Sequence, residues 1–283
     1  MAWVKDEIGR AVGLPAVLGG IPLDEIGATG WGILQAAEVA AAYCAVDLRG
    51  ARVVIQGFGA VGKHSARFLA ERGAILVGAA DSRGTIHNAK GIDVAALIAL
   101  KDGGSSVGAY GDARKLDRDA ALDIECDIWI PAARPDVVRE DNVHRLKTRL
   151  VLQAANIPFT AGAEKVLHDR GVLVIPDFIA NAGGFTCAAM EYQGASQASA
   201  FTAIEERVRA NVKQVLEIVK ERGIPPRAAG RELATRRVRR AMSFRRFSIF
   251  YDLDRSLSVS AGRAGRHSCR RRQRRARWAW RRR

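Results

Sequence analysis

Residues 51–82 read ARVVIQGFGAVGKHSARFLAERGAILVGAADS, which runs strand, glycine turn, helix, strand. Arg52 to Gln56 is a short β-branched run, apolar on both faces, as suits a strand buried between two helix layers. Gly57, Gly59 and Gly62 follow as G-x-G-x-x-G and open a helix over 61–72. In such a turn Gly57 permits the tight bend, and Gly59 lets the backbone approach a pyrophosphate. Gly62 lets helix and strand pack closely. The free N–H groups at the helix start meet phosphate with the positive end of the dipole. A second strand, 75–80, leads to Asp81, 19 residues beyond Gly62. A dinucleotide site places an acid at about that distance, where it accepts hydrogen bonds from the adenine ribose. Asp81 also reads as a cap or turn residue before Ser82-Arg83-Gly84. A carboxylate there repels a 2′-phosphate, which favours NAD over NADP, and Arg83 is close enough to blunt that preference.

On either side of this unit, short apolar runs alternate with longer amphipathic ones. Further strands are expected at 127–130, 150–153 and 172–175, and helices at 32–45, 93–101 and 162–170. After Pro176 the strands stop, and helices are expected over 183–192, 199–222 and 226–242. In the second of these Phe201, Ile204, Val208, Val212, Val215 and Val219 recur at spacings of three and four, a buried stripe. The implied fold is α/β: a Rossmann-like, doubly wound, mostly parallel sheet followed by C-terminal helices. In such a sheet ligands lie at the ends of strands. There the sequence places Ala132 and Ala133 after one strand, Asn156 after the next and Asn181 after the last. Small alanines let a ribose or nicotinamide lie against the backbone. The asparagines read either as amide donors to a ligand or as turn formers beside Pro and Gly.

The chain has 283 residues, enough to bury a core without disulfides. Four cysteines lie far apart, with no C-x-x-C and no His/Cys cluster, so no metal site is expected and a reducing cytoplasm fits. No run reaches the ~18 apolar residues of a membrane span. The net charge of +15 is concentrated at one end: residues 251–283 hold 12 Arg, no Lys and 2 Asp, which leaves +5 for the first 250 residues. This Arg-rich stretch lacks apolar periodicity and reads as a disordered appendage. It is the one place where the sequence offers a nucleic acid anything to bind. Trp3, Trp31 and Trp129 read as packing residues.

Several motifs in order, GGIPLDEIGATGWG, QGFGAVG, IPAA, AANIP and PDFIANAGG, resemble the glutamate/leucine/phenylalanine/valine dehydrogenase family over residues 2–250. GGIPLDEIGATG and NAGG are closer to its glutamate dehydrogenase branch. The resemblance implies reversible NAD(P)-dependent oxidative deamination of an L-amino acid to a 2-oxo acid and ammonia. It also implies a homo-oligomer where the family's substrate domain is present. By resemblance Thr29 touches the nicotinamide carboxamide, and Gly57, Phe58, Gly59, Ala60 and Val61 hold the pyrophosphate, with Gly62 closing the motif. Asp81 with Ser82 reads the adenosine ribose. Ala132, Ala133, Asn156 and Asn181 line the nicotinamide ribose. Thr29 taken alone reads as a helix N-cap ahead of 32–45.

Two departures qualify the match. The family's catalytic Lys and Asp residues align before Met1, so no catalytic residue is expected within the chain, and turnover is expected to be weak or absent. Lys5, flanked by Asp6 and Glu7, lacks the setting that lowers an amine's pKa. In FTCAAMEY, Ala188 stands where the family often has a Ser contacting the substrate, and a methyl cannot hydrogen-bond a γ-carboxylate. The expected division is 1–23 as a remnant of the substrate domain or hinge, 24–180 as the dinucleotide-binding domain, 181–250 as helices and 251–283 as the tail. A non-catalytic nucleotide-binding module is the alternative reading.

Overall fold

The central strand, β1 (Arg52–Gln56), sends Val53 and Ile55 into one hydrophobic core and Val54 into another, as a strand's alternation of side chains requires. The computed structural model describes residues 1–244. β1 pairs in parallel with β2 (Ile75–Asp81) on one side and β5 (Ile128–Pro131) on the other. β6 (Leu150–Leu152) and β7 (Leu173–Ile175) extend the parallel sheet beyond β5. Beyond β2 the sheet adds two antiparallel strands, β3 (Gly84–His87) and β4 (Arg114–Leu116), in the order β4-β3-β2-β1-β5-β6-β7.

The five parallel strands lie where the apolar runs place them, within a residue or so at each end. β3 and β4 have no counterpart in that reading. β4 is Arg-Lys-Leu on an edge, with its two charged residues exposed, and it is held by backbone pairing rather than by an apolar run. Hydrophobic periodicity cannot detect such a strand.

Among the described residues ten α-helices accompany the sheet. Three are α1 (Ala2–Ile8), which buries no residue, the short α2 (Leu23–Ile26) and α3 (Ala28–Ala41). α4 (Ala60–Glu71) and α5 (Val94–Asp102) follow the first strands, and α6 (Ala161–Asp169) precedes β7. The last four are α7 (Asp177–Ala180), α8 (Ala182–Tyr192), α9 (Gln197–Arg222) and α10 (Pro226–Ser243). Side-chain caps start several of them. Asp93 accepts from the Ala96 amide at 3.0 Å, Thr160 from Ala163 at 3.3 Å and Ser196 from Ser199 at 3.2 Å. The α9 stripe packs as its spacing predicts: Ile204, Val208, Val212 and Val215 are fully buried, while Phe201 and Val219 pack at the margin.

α3 differs from expectation. It begins at Ala28 rather than Gly32, and its N-cap is Gly27, so Thr29 lies inside the first turn and is not a cap. Glycine has low helix propensity, and Gly30 and Gly32 both lie inside α3. There they serve close packing. A Cβ on Gly30 would lie 2.7 Å from the Cβ of His64 on α4, and one on Gly32 would lie 3.1 Å from the Gly183 backbone on α8. Trp31 packs edge-on against Phe68 and Phe201, at ring separations of 5.2 and 5.6 Å. Trp129 is fully buried and donates to the Ala121 carbonyl at 3.0 Å. Trp3 does not pack, being 86% exposed. Residues Met1–Arg237 form one compact unit. Among the described residues no helix is long and apolar enough to cross a membrane. The segment 251–283, read above as an Arg-rich appendage, lies outside the described residues, as does the end of the helical stretch expected to reach 250.

Candidate nucleotide-binding site

Sheet topology fixes where a ligand can enter. The chain leaving β1 turns back to β2 on one side, while β5 is laid down on the other, so a crevice opens at the carboxyl ends of β1 and β5. Two cavities meet there, of about 600 and 420 Å³, and they share Ala132, Ala133 and Arg134.

The glycine turn forms the floor of the smaller cavity. The Gly57 and Phe58 amides both donate to the Ala80 carbonyl, at 2.9 and 2.8 Å, which pins the turn to β2. Gly57 has φ +105°, and a Cβ there would lie 2.7 Å from Ala132 and Ala133 backbone atoms, so no other residue fits. Gly62 is equally constrained, by the Gly57 carbonyl 2.1 Å from its would-be Cβ. Gly59 is different: a Cβ there would meet nothing within 4 Å. It faces open space at the start of α4, where no side chain caps the helix. The Phe58 ring is buried, so this residue offers a ligand only backbone. Ala60 is exposed beside Gly59, and Val61 lines the larger cavity. The side-chain oxygen of Gln56, which lines the smaller cavity, is buried without a hydrogen-bond partner. An unpaired buried acceptor next to an open, uncapped helix start is what a ligand carrying hydroxyls and phosphate would complete.

Asp81 closes the far end. Its Oδ2 accepts from Lys101 Nζ and the Val107 amide, both at 2.9 Å, and its Oδ1 accepts from the Arg83 amide at 2.9 Å and Ser106 Oγ at 3.0 Å. These four donors use the roughly four lone-pair positions of a carboxylate. Burial alone would raise the acid's pKa, but the hydrogen bonds, led by that of Lys101, hold it at about 2. Asp81, Ser82, Lys101, Arg118 and Arg134 line one cavity, whereas Arg83, the neighbour singled out in the sequence, is not in the lining.

A carboxyl 13C NMR titration checks this arrangement: Asp81 should titrate near 2, and Lys101→Met should move it upward. Because the folded pKa lies below the ordinary value of 3.8, the carboxylate's contribution to stability is complete above about pH 4. It is lost as pH falls towards 2. Asp81→Asn should therefore differ from the parent in the slope of stability against pH only below about pH 4.

The larger cavity lies between the loops that leave β5, β6 and β7. Its lining includes Thr29, Asn156, Asn181, Gly184 and the 82%-exposed Phe185. Asn181 Nδ2 donates to Asn156 Oδ1 at 2.8 Å, so the two asparagines act as a pair. A Cβ on Gly184 would lie 2.7 Å from Thr29 Oγ1, so the glycine leaves room for that hydroxyl. Ala188 is one turn beyond Gly184 on the same face of α8, half-buried and outside the cavity lining.

Behind these loops is a network that spacing does not disclose. Arg227 of α10 donates through Nε to both Glu164 oxygens, at 2.9 and 2.7 Å, and through its NH2 nitrogen to Gln153 Oε1 at 2.8 Å. The same nitrogen lies 2.9 Å from Asp177 Oδ1 in an ion pair. Four separate elements contribute, so no local motif announces them. Among the described residues no group of three or more His, Cys, Asp or Glu is placed to hold a metal ion. Cys126 is buried, and burial pushes its thiol up to about 12, an unreactive setting.

Comparison with known proteins adds to this geometry. Residues 19–246 match the family described as Glutamate/Leucine/Phenylalanine/Valine dehydrogenase. The chain is 34% identical to the glutamate dehydrogenase of Aeropyrum pernix, over 87% of this chain and 63% of the relative. It is 33% identical to a Staphylococcus aureus protein named NAD-specific glutamate dehydrogenase, over 87% and 62%. Among solved structures, the hetero-hexameric glutamate dehydrogenase of Thermus thermophilus superposes with a TM-score of 0.75 at 30% identity, covering 84% of this chain and 57% of that one. The chain thus spans about three fifths of the length of the curated relatives it matches.

Proposed function

The chain belongs to the glutamate/leucine/phenylalanine/valine dehydrogenase family, and from that premise we propose that it binds NAD in the crevice between β1 and β5. We read the bound cofactor as serving the oxidative deamination of an L-amino acid, of the glutamate dehydrogenase type, to a 2-oxo acid and ammonia. NAD, when bound, supplies the hydride acceptor. The observation that carries the reading is the open space in front of Gly59, with the unpaired Gln56 oxygen in the same cavity.

The uncapped amides at the start of α4, those of Gly59, Ala60 and Val61, hold the pyrophosphate, while Gly57 and Phe58 shape the turn by donating to Ala80 and Gly62 packs beneath. Gln56, Asp81 and Ser82 receive the adenosine ribose, a ribose hydroxyl taking the place of one of the four donors to Asp81. Ala132 and Ala133 leave room for the cofactor's middle, and Thr29, Asn156 and Asn181 orient the nicotinamide end. Among the described residues Arg134 is the only ionisable side chain in the larger cavity's lining, and an arginine does not exchange protons at neutral pH. This wall therefore binds and orients, and proton transfer belongs to groups outside it. Ala188 offers the substrate side chain no hydrogen bond. In the same reading residues 24–180 are the dinucleotide-binding part and the following helices complete its wall, in a homo-oligomer of the cytoplasm. A nucleotide-binding module without turnover of its own is the second reading, favoured by a lining in which no described residue transfers protons at neutral pH. NADH formed on adding L-glutamate would exclude it.

Calorimetric titration with NAD+ tests the proposal, with Gly59→Val as the informative variant. A Cβ at Gly59 meets nothing within 4 Å and the local φ of −93° is open to valine, so the fold should melt as before. Its methyls would occupy the space read as the pyrophosphate's, and affinity should fall by roughly a hundredfold through lost amide contacts and steric exclusion. Absence of NAD+ binding by the parent chain, or equal binding by the variant, would overturn the reading.

A further inference from the structure

Ile157 has φ +49°, in the left-handed region that a β-branched residue rarely adopts, and it precedes Pro158, which narrows its choices further. Its side chain is 59% exposed, so packing of that side chain does not impose the conformation. The backbone is held instead from two sides. The Ile157 amide donates to Asp177 Oδ2 at 2.8 Å, and the Ile157 carbonyl accepts from the Asp136 amide at 2.9 Å. Asp136 itself has φ +50°. The loops leaving β5 and β6 are thus tied together through two left-handed residues, and Val138 and Phe159 bridge just beyond them.

Asp177 anchors this junction from the third loop. Its side chain is 9% exposed, its own amide donates to Gln153 Oε1 at 3.0 Å, and Arg227 lies against its Oδ1. Asn156, the residue before Ile157, is in the cavity wall and pairs with Asn181, four residues after Asp177. Strain held in place by surrounding structure beside a binding cleft is characteristic of a positioning device.

We propose that Asp177 is a positioning residue for the nicotinamide end of the cleft: by accepting the Ile157 amide it keeps Ile157 left-handed and so holds Asn156 in the wall. This rests on the dinucleotide reading given above. Asp177 touches no ligand itself. Its effect is confined to the larger cavity, since the turn at Gly57–Gly59 and Asp81 are built from other strands.

The test compares NAD+ with ADP, which lacks the nicotinamide half, by calorimetry on the full chain. Asp177→Ala should weaken NAD+ by about tenfold or more, the scale of one lost charge-assisted hydrogen bond, and change ADP by less than about threefold. In an Ile157→Gly background, where the left-handed conformation carries no strain, the same substitution should cost NAD+ less than about threefold. Equal losses for NAD+ and ADP, no loss for either, or an undiminished loss in the glycine background would overturn the proposal. Hydrogen exchange on the unmodified protein gives a readout independent of any variant. The Ile157 amide should be protected despite its exposed side chain, and an unprotected amide would also overturn the proposal. If the parent chain binds ADP and NAD+ equally, this proposal fails while the adenosine site stands. If it binds neither, both readings fail.

Discussion

Replacing Gly183 with alanine is expected to lower the free energy of unfolding by about 3 kcal/mol, a large fraction of what holds a domain of this kind together. A Cβ at Gly183 would lie 2.3 Å from the Ala28 carbonyl oxygen and 3.2 Å from Gly32 Cα. These are backbone atoms of α3, not flexible side-chain ends, so nothing can rotate aside and the helices must separate. α3 cannot yield easily. Of its residues, Ala28, Gly30, Gly32, Ile33, Leu34, Ala36, Ala37 and Ala40 are buried, and α4 blocks its other side at Gly30 and His64. The same separation would move Gly184 from Thr29 and distort the larger cavity, so nucleotide binding should weaken along with stability. Gly111→Ala is the control: a Cβ there meets nothing within 4 Å, and the change should fall within about 0.5 kcal/mol. Denaturant unfolding of the three proteins decides the matter. A Gly183→Ala variant as stable as the parent would mean that α3 and α8 do not cross as described.

Arg227→Met is expected to cost about 2–4 kcal/mol in the same assay. Glu164 and Asp177 have side chains only 12% and 9% exposed, and Arg227 is the cation that both carboxylates face. Breaking a buried pair by removing one partner costs about 3–5 kcal/mol, because the remaining charge is left without compensation. Arg227 is itself 28% exposed, so water can reach part of the vacated space and temper the loss. The guanidinium also lies 5.5 Å from the centre of the Phe178 ring, a contact that methionine's thioether partly replaces. Gln153 Nε2 donates to Glu164 Oε1 at 2.7 Å, and adding Glu164→Gln removes one stranded charge while keeping an acceptor for that donor, so the double variant should recover a substantial part of the loss. If the double variant is no more stable than Arg227→Met alone, the charge argument is wrong and the loss is one of packing.

Much of this architecture is legible in the chain itself. The turn around Gly57 announces its own geometry, because the positive φ at Gly57 and the close contacts at Gly62 admit no side chain, and a helix must start where the glycines end. The parallel strands declare themselves because burial on both faces demands continuous apolar runs, and α9 does so because burial on one face demands a 3.6-residue period. Asp81 was placed by its distance from the glycines, which follows from the length of a helix and a strand.

Tertiary structure settled what lies between elements. The helix expected from Gly32 begins at Ala28, with Gly30 and Gly32 inside α3, where contact with α4 and α8 outweighs weak local propensity. β3 and β4 are held by backbone pairing, which leaves little trace in side-chain pattern. Lys101, Ser106 and Val107 reach Asp81 from across a helix and a loop, and Arg227 reaches Asp177 across 50 residues. Such partnerships depend on where separate elements come to rest against one another. Periodicity and spacing report only the geometry of a single element, so they cannot carry that information.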